Sequence, residues 1–509
     1  MVISSTFKLA RAFAPAITTG FASAAAMWTV WYVFHMPGIQ VPVQLSTSVL
    51  LVILALGGAA GARAAAAEAR APAWTVGLLT GLTAGLVNLL LLGSRVVEQP
   101  RSTDELLDQA NRLNPQAPAI VFGFLGLCAV VGLIGGLLAC LRAAKPRNPI
   151  DWRSLFAVVT AFTLVPLVIA GGLVTSTESG MAVPDSVTTY GSISILFPLS
   201  LMAEPRIFFE HTHRLFGTFV GLTSMVLACW SICGERAWKV AVAVAAAIAA
   251  TIVPFALELA GVIPLPATIA WLAIVALLGL GVLTWSIIVG RLALAAGLLL
   301  LMVITQGLLG ALRVSEISTP LAYAHGVFAQ LVFAAAAGLA AASLGTTSCG
   351  PRVLSAPTRG ALRLARRLGP WAAGAVIIQL ILGAGFRHTS SPILLYTHAL
   401  FASVVAATLL MLGIGMSSAG SDGLRTRRLG SLLLGLVLIQ VTLGVTAFLM
   451  VSGRSARPIP TYGQLASAHD LPFFEAAFTT SHQALGAGLL ALTVAIAVLS
   501  RVRLTRQPT

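Results

Sequence analysis

Four histidines stand at equivalent places in this 509-residue chain. His213, His325, His398 and His482 each follow the start of an apolar run of membrane-crossing length. Each sits a turn or so inside that run, where an ionisable side chain is costly and is a functional candidate by default. The same motif, Q-x-x-L-G, precedes three of them, at Gln306–Gly310, Gln379–Gly383 and Gln440–Gly444; the run before His213 ends comparably, with Gly171 and Gly172. A small residue there lets a neighbouring helix or a flat ligand approach closely. Four imidazoles at one depth read as two pairs, each bridging facing helices, which is the geometry of a bis-histidine haem. Neutral imidazole ligates haem iron, and apolar helices supply the slot for the porphyrin. Zinc fits this set less well, because no second carboxylate or thiolate accompanies the histidines. His35, His388 and His469 read instead as interfacial or hydrogen-bonded residues at helix ends.

Charged residues cluster around the same positions. Glu210 is three residues before His213 and shares its helical face, while His211 points elsewhere. A carboxyl group beside a haem edge in low dielectric can be held protonated or can move a proton, as a reaction on the porphyrin requires. The other reading of Glu210 is an acid that satisfies a helix N-terminus. Haem also carries two propionates, which need cations where the slot meets water. Arg214, Arg313 and Arg387 lie at or beside these helix ends. The alternative for each arginine is an anchor that snorkels to the interface.

The elements that position these groups are transmembrane helices. Apolar residues make up 58% of the chain and charged residues 9%, a composition that excludes an ordinary soluble domain. Runs of about 20 apolar residues, enough to cross the hydrocarbon as a helix, recur fourteen times. They fall near 13–33, 43–62, 74–93, 119–141, 154–174, 207–232, 238–259, 266–289, 292–311, 321–344, 369–387, 394–416, 428–451 and 479–500. The net charge of +15 points to topology rather than to nucleic acid, because the basic residues occupy short loops and not a continuous face. Lys8, Arg11, Arg63, Arg70, the Arg142–Arg153 loop, Arg236, Lys239 and Arg291 alternate onto one side. So do the 352–367 and 425–428 clusters and Arg501, Arg503 and Arg506, which brings 22 of the 31 basic residues to the inside. Both termini are then cytoplasmic and all eight histidines lie toward the outer face of a cell (inner) membrane. Residues 1–33 read as a first span rather than a cleaved leader, since its removal would break the alternation; Trp28, Trp31 and Tyr32 read as its interfacial aromatic belt. None of the five cysteines falls on the outer side, so no disulfide framework is expected.

The expected architecture is an all-α polytopic membrane protein with about 14 transmembrane helices. Residues 1–150 form a four-span module of no legible chemistry, whose loop 94–118 contains a DELLDQANRL stretch that reads as a short helix outside the membrane. Residues 151–350 form a first bundle from spans 5, 6, 9 and 10, with spans 238–289 inserted; residues 351–509 form a second, pseudo-symmetric four-helix bundle. A transporter built on repeats fits poorly, because the intramembrane ionisable groups gather at the outer ends and not at the midplane.

Over residues 150–500 the chain resembles the haem A synthases of respiratory membranes. The resemblance rests on GGLVTSTESGMAVPD from Gly171 to Asp185, then Thr189-Tyr190-Gly191 and Glu210-x-x-His213-Arg214. It continues through Gln306-Gly-Leu-Leu-Gly310-x-Leu-Arg313-Val and His325-Gly-x-x-Ala-Gln330 to His398 and His482. It implies eight core helices in two bundles and the oxidation of a porphyrin methyl of haem O to a formyl group by successive hydroxylations. By that likeness His213 and His325 bracket the substrate haem, Glu210 is the acid at the reacting edge, and His398 and His482 hold a haem B cofactor that passes electrons. It also implies a haem O synthase as supplier, a membrane electron donor and room for oligomerisation. Ser186 departs from the tryptophan usual after Pro-Asp, an outer cysteine pair found in some members is missing, and spans 1–4 and 7–8 are additional. A haem-binding electron-transfer protein that modifies no haem would need the same histidines, but would have no use for Glu210 at the site.

Overall fold

The computed structural model describes residues 2–39, 41–68, 71–100, 102, 104–105, 111–141, 149–347, 354–452 and 473–505, with side chains omitted at 2–11 and 346–347. The chain is an all-α, polytopic membrane protein. Among the described residues fourteen long α-helices follow one another: α1 (Val2–Phe34), α2 (Val43–Ala67), α3 (Ala73–Val96), α4 (Ala117–Cys140), α5 (Trp152–Ser176), α6 (Pro205–Gly234) and α7 (Trp238–Leu259). After them come α8 (Leu265–Val289), α9 (Leu292–Ser315), α10 (Thr319–Thr347), α11 (Ala356–Thr389), α12 (Pro392–Ser417), α13 (Leu424–Val451) and α14 (Phe473–Thr505). Thirteen are long and apolar enough to cross a bilayer; α1, rich in Ala, Thr, Ser and Gly, is not in that set. Helices are what lipid demands, because each satisfies its own backbone groups where no water can. No strand occurs among the described residues, only two isolated antiparallel bridges. Two compact units divide the chain: residues 1–166 with 182–219, and residues 167–181 with 220–509.

In the first unit α3 and α4 meet backbone to backbone. A Cβ on Gly77, Gly81 or Gly132 would overlap the facing main chain, so glycine alone permits this approach. Helix α1 packs an aromatic ridge on the first half of α6. Trp28 lies 5.8 Å from Phe216 and 5.2 Å from Phe219, while Tyr32 lies 5.5 Å from both Phe208 and Phe216. Phe208, Phe216 and Phe219 share one helical face, and each aromatic pair adds about 0.5–1.5 kcal/mol beyond its buried area. The expected aromatic belt is therefore inside: Trp28 and Tyr32 are buried, because rings recurring at helical spacing opposite a second aromatic face gain more from packing than from the lipid interface.

The loop after α3 closes on itself through the Val97–Leu113 bridge. Within the expected short helix at 104–113, Asp104 and Glu105 are helical, residues 106–110 lie outside the described set, and Asn111 takes a left-handed φ of 65°. This loop clasps the segment before α6. Asn111 Oδ1 accepts from the Ile193 N–H at 2.9 Å and the Ser192 hydroxyl at 3.2 Å; Gln99 Oε1 accepts from the Ser200 N–H at 3.2 Å; and the Ser200 hydroxyl donates to the Pro100 carbonyl at 2.8 Å.

In the second unit α11, α12, α13 and α14 pack as a closed four-helix ring, in which α11 meets α12 and α14, and α13 completes the circuit. Its core includes Ala372, Val376, Leu409, Leu412, Leu433 and Leu490. Helix α10 lies against α9, α11 and α14. Helices α7 and α8, the inserted pair, contact α9 and leave many large apolar side chains exposed, as lipid-facing helices do. The four described cysteines carry free thiols; Cys349 lies outside the described residues.

Candidate functional site

The Q-x-x-L-G motif makes a seat for a histidine on the next helix, and the second unit contains three such seats. In α9, Gln306 Nε2 donates to the His325 carbonyl at 2.9 Å and lies 3.0 Å from Nδ1 of the ring. In α13, Gln440 Nε2 makes the same pair of contacts to the His482 carbonyl (3.0 Å) and Nδ1 (3.1 Å). In α11, Gln379 Nε2 donates to the His398 carbonyl at 2.9 Å, while His398 Nδ1 is 3.0 Å from the Gln379 carbonyl and Nε2 is 3.4 Å from the Gln379 amide. Four residues along, each glycine stands against the imidazole. A Cβ on Gly310 would come within 2.9 Å of His325 Cε1, and one on Gly383 or Gly444 within 2.8 Å of His398 or His482 Cε1. Glutamine and glycine lie one turn apart on a single face, so the amide fixes the histidine backbone while the missing side chain makes room for the ring.

A glutamine amide can present nitrogen or oxygen to Nδ1 by a half-turn about its last bond, and so accepts either imidazole tautomer. In all three seats the Oε1 atom is buried with no hydrogen-bond partner. An orphan of this kind is costly unless a second partner or a rotated amide satisfies it. At His325 and His482, ligation through ring Nε2 needs the proton on Nδ1, and an Oε1 turned to receive it exchanges the amide's bond to the histidine carbonyl for one to Nδ1; at His398 the Gln379 backbone carbonyl already stands 3.0 Å from Nδ1.

Two of the three seats face each other. The His398 and His482 rings have centroids 6.1 Å apart and planes inclined by 83°. Two metal–imidazole bonds of about 2 Å, together with the offset of each donor nitrogen from its ring centre, span roughly 6 Å. Two imidazoles that held one iron would stand about this far apart, so in separation the pair fits a haem. Among the described residues no group of three or more His, Cys, Asp or Glu is placed to hold a metal ion. Haem asks only two ligands of the protein, since the porphyrin supplies the other four.

His325 belongs to the second unit, whereas His213 lies in the first. On α6, Glu210 is buried with both oxygens engaged: Oε2 accepts the Val183 N–H at 2.9 Å and Oε1 pairs with Arg214 Nη2 at 2.9 Å. Arg214 Nη1 also donates to the Thr188 carbonyl at 2.8 Å. Glu210 and Arg214 therefore fasten the segment before α6 over the His213 end of that helix. His211 faces the same segment, with Nδ1 3.3 Å from the Thr189 hydroxyl and its ring 4.6 Å from Phe197. Asp185 shapes the turn, accepting from the Thr188 hydroxyl and the Gly191 N–H, both at 2.6 Å. Ser186 is half-buried beside it.

In the second unit Arg313 Nη2 donates to the Gly180 carbonyl at 2.6 Å. Arg313 and Arg387 lie within electrostatic range of His388. His388 in turn stands where a Cβ on Gly326 would meet it at 3.7 Å, one residue from His325. His388 stands in the last turn of α11, where the sequence reading put an interfacial or hydrogen-bonded residue. His469 lies outside the described residues. The role of the three glutamines was missed, although a polar residue at a fixed place in three apolar spans must find a partner there.

No protein-family model matches the chain, no curated protein matches it, and no solved structure matches it.

Proposed function

We propose that the chain is a haem-handling membrane oxidoreductase of the haem A synthase kind, acting on haem O and using a bound haem B as its electron relay. The observation that carries this reading is the facing pair His398 and His482, 6.1 Å apart on their glutamine and glycine seats. In this reading they hold the haem B, which supplies one-electron redox chemistry when bound. The sequence resemblance assigns His213 and His325 to the substrate haem. Arg313, Arg387 and Arg214, whose guanidinium groups match paired oxygens, receive its propionates. The chemistry is two hydroxylations. In each, the methyl carbon gains a hydroxyl as dioxygen, two electrons and two protons are consumed and one water is released; the resulting geminal diol loses water to give the formyl group. The protein's part is to hold the porphyrin still, exclude water with apolar helices and the segment before α6, and deliver protons at the outer end. A haem O synthase as supplier, a membrane electron donor, a cell (inner) membrane and self-association belong to the same proposal.

Glu210 favours a second reading. Both of its oxygens accept hydrogen bonds, one of them within an ion pair, so the group is built as a fastener for the loop. A haem-binding electron-transfer protein without haem-modifying activity would have that use for it. Glu210→Gln separates the two. An acid that moves a proton contributes about 10²–10⁴-fold, so the variant should retain its haem and accumulate haem O or a hydroxylated intermediate with little haem A. Full haem A formation by the variant would leave Glu210 as a fastener. Failure of the unaltered protein to convert supplied haem O, with oxygen and reductant present, would hand the function to the electron-transfer reading.

A further inference from the structure

At the end of the four-helix ring remote from His398 and His482, the start of α11, the start of α13 and the end of α14 carry nine arginines among the described residues. The one described carboxylate there, Asp422, is spent inside the protein. Its Oδ1 accepts from the Ser355 hydroxyl at 2.6 Å and the Thr358 hydroxyl at 2.7 Å, and its Oδ2 from the Ser355 N–H at 2.9 Å. These bonds pin the loop between α12 and α13 to the start of α11. Arg503 Nη1 donates to the Thr426 hydroxyl at 3.2 Å and ties the end of α14 to the start of α13. The three arginine-bearing ends are therefore fixed relative to one another. Arg366, Arg367, Arg427, Arg428 and Arg501 are exposed, and among the described residues none of the five has an ion pair. The apolar runs set their depth. Arg366 and Arg367 stand within a turn of the apolar stretch that begins at 369, Arg427 and Arg428 open the run of α13, and Arg501 follows the last residue of the run of α14. Trp371, one turn further in on α11 and 78% exposed, sits where an interfacial anchor would.

The polar layer of a bilayer is roughly 5–8 Å thick on each side, so a turn of helix beyond the apolar run brings these arginines to the level of the lipid phosphates. Guanidinium groups crowded together without anions repel one another, and each presents a fork that matches phosphate oxygens. Orientation of the chain in the membrane needs only the charge. A fixed array of unpaired forks at head-group depth does more, because it can hold one lipid in preference to others. The arginines come as pairs on two different helices, so two phosphates on one tether gain over a single phosphate. We infer that this end of the bundle binds the head group of a two-phosphate phospholipid of the cardiolipin type, with its acyl tails beside Trp371. The inference stands apart from the haem chemistry.

The test uses full-length protein, delipidated in detergent, with pyrene-tailed cardiolipin as the probe and energy transfer from tryptophan as the signal. One saturable site is expected, weakened by added salt. Unlabelled cardiolipin should displace the probe at least tenfold more effectively than phosphatidylglycerol, and phosphatidylcholine and inorganic phosphate should not displace it. Arg366→Gln with Arg367→Gln should weaken binding tenfold or more, and so should Arg427→Gln with Arg428→Gln. All four positions are exposed, and an unchanged thermal melt checks that each variant keeps its fold. Arg291→Gln, which removes a charge from a different short loop, should leave binding unchanged. Uptake that never saturates overturns the inference, as does equal displacement by phosphatidylglycerol or by inorganic phosphate. Unchanged affinity in either double variant, or an equal loss in Arg291→Gln, overturns it too. Displacement of the probe by polyglutamate where cardiolipin fails would assign the surface to an acidic protein instead.

Discussion

Gln440→Leu tests whether the glutamine seats serve a ligand or merely join helices. The substitution roughly keeps side-chain volume but removes the amide that reaches the His482 carbonyl at 3.0 Å and Nδ1 at 3.1 Å. Each bond contributes about 1 kcal/mol net, so about 2 kcal/mol of orientation is lost. At 1.4 kcal/mol per decade this is roughly a 30-fold loss of haem affinity, inside the 10–100-fold range found when the outer partner of a metal-bound histidine is removed. Fold stability should fall by less, because the same change deletes a buried Oε1 that has no partner. Titrating purified apoprotein with haem B and following the Soret band reads affinity, while a thermal melt without haem reads the fold. Gly444→Ala is the companion: its Cβ would meet His482 Cε1 at 2.8 Å, displacing the ring and converting a low-spin spectrum to high-spin. Gly435→Ala, on the same helix with nothing within 4 Å, should change neither. Haem affinity in Gln440→Leu equal to that of the unaltered protein would refute the reasoning, and so would a loss of stability as large as the loss of affinity.

Asn111→Ala should loosen the clasp on the segment before α6. It removes two accepted hydrogen bonds and leaves a side chain at φ 65°, about 2–3 kcal/mol in all; limited proteolysis should cut between residues 186 and 196 faster while helical circular dichroism is unchanged, and equal cutting rates would count against the clasp. The charge asymmetry predicts that reporters fused at both termini read as cytoplasmic and one inserted after Gly38 as external; an external reading at the C-terminus would overturn the orientation proposed for the histidines.

The helices were legible in the sequence because lipid makes hydrophobic length a nearly sufficient signal. Boundaries moved where polar ends extend a helix beyond the apolar run: α11 begins at Ala356, well before the apolar stretch at 369, and carries Arg359, Arg363, Arg366 and Arg367 on its first turns. His398 and His482 were legible as a pair because symmetry in the sequence became symmetry in space. The partner of Glu210 was not. Its carboxylate could have served a helix end, a haem edge or a loop, and only the return of the chain at Val183 and the turn to Arg214 decides what touches it. Trp28 and Tyr32 misled for a similar reason, since an aromatic pair near a span end has the same spacing whether it faces lipid or another helix.

The first compact unit is discontinuous: α1 to α4 are complete by Cys140, but the aromatic face they receive ends only at Phe219. A ribosome adds about 5–20 residues per second, so on the order of ten seconds pass between the two. Throughout that interval Trp28 and Tyr32 lack the Phe208, Phe216 and Phe219 rings they pack against, and α5 must enter the bilayer before α6 can dock. Assembly of the nascent protein is thereby ordered: the N-terminal helices wait, and the segment carrying Glu210 and His213 is captured as it arrives.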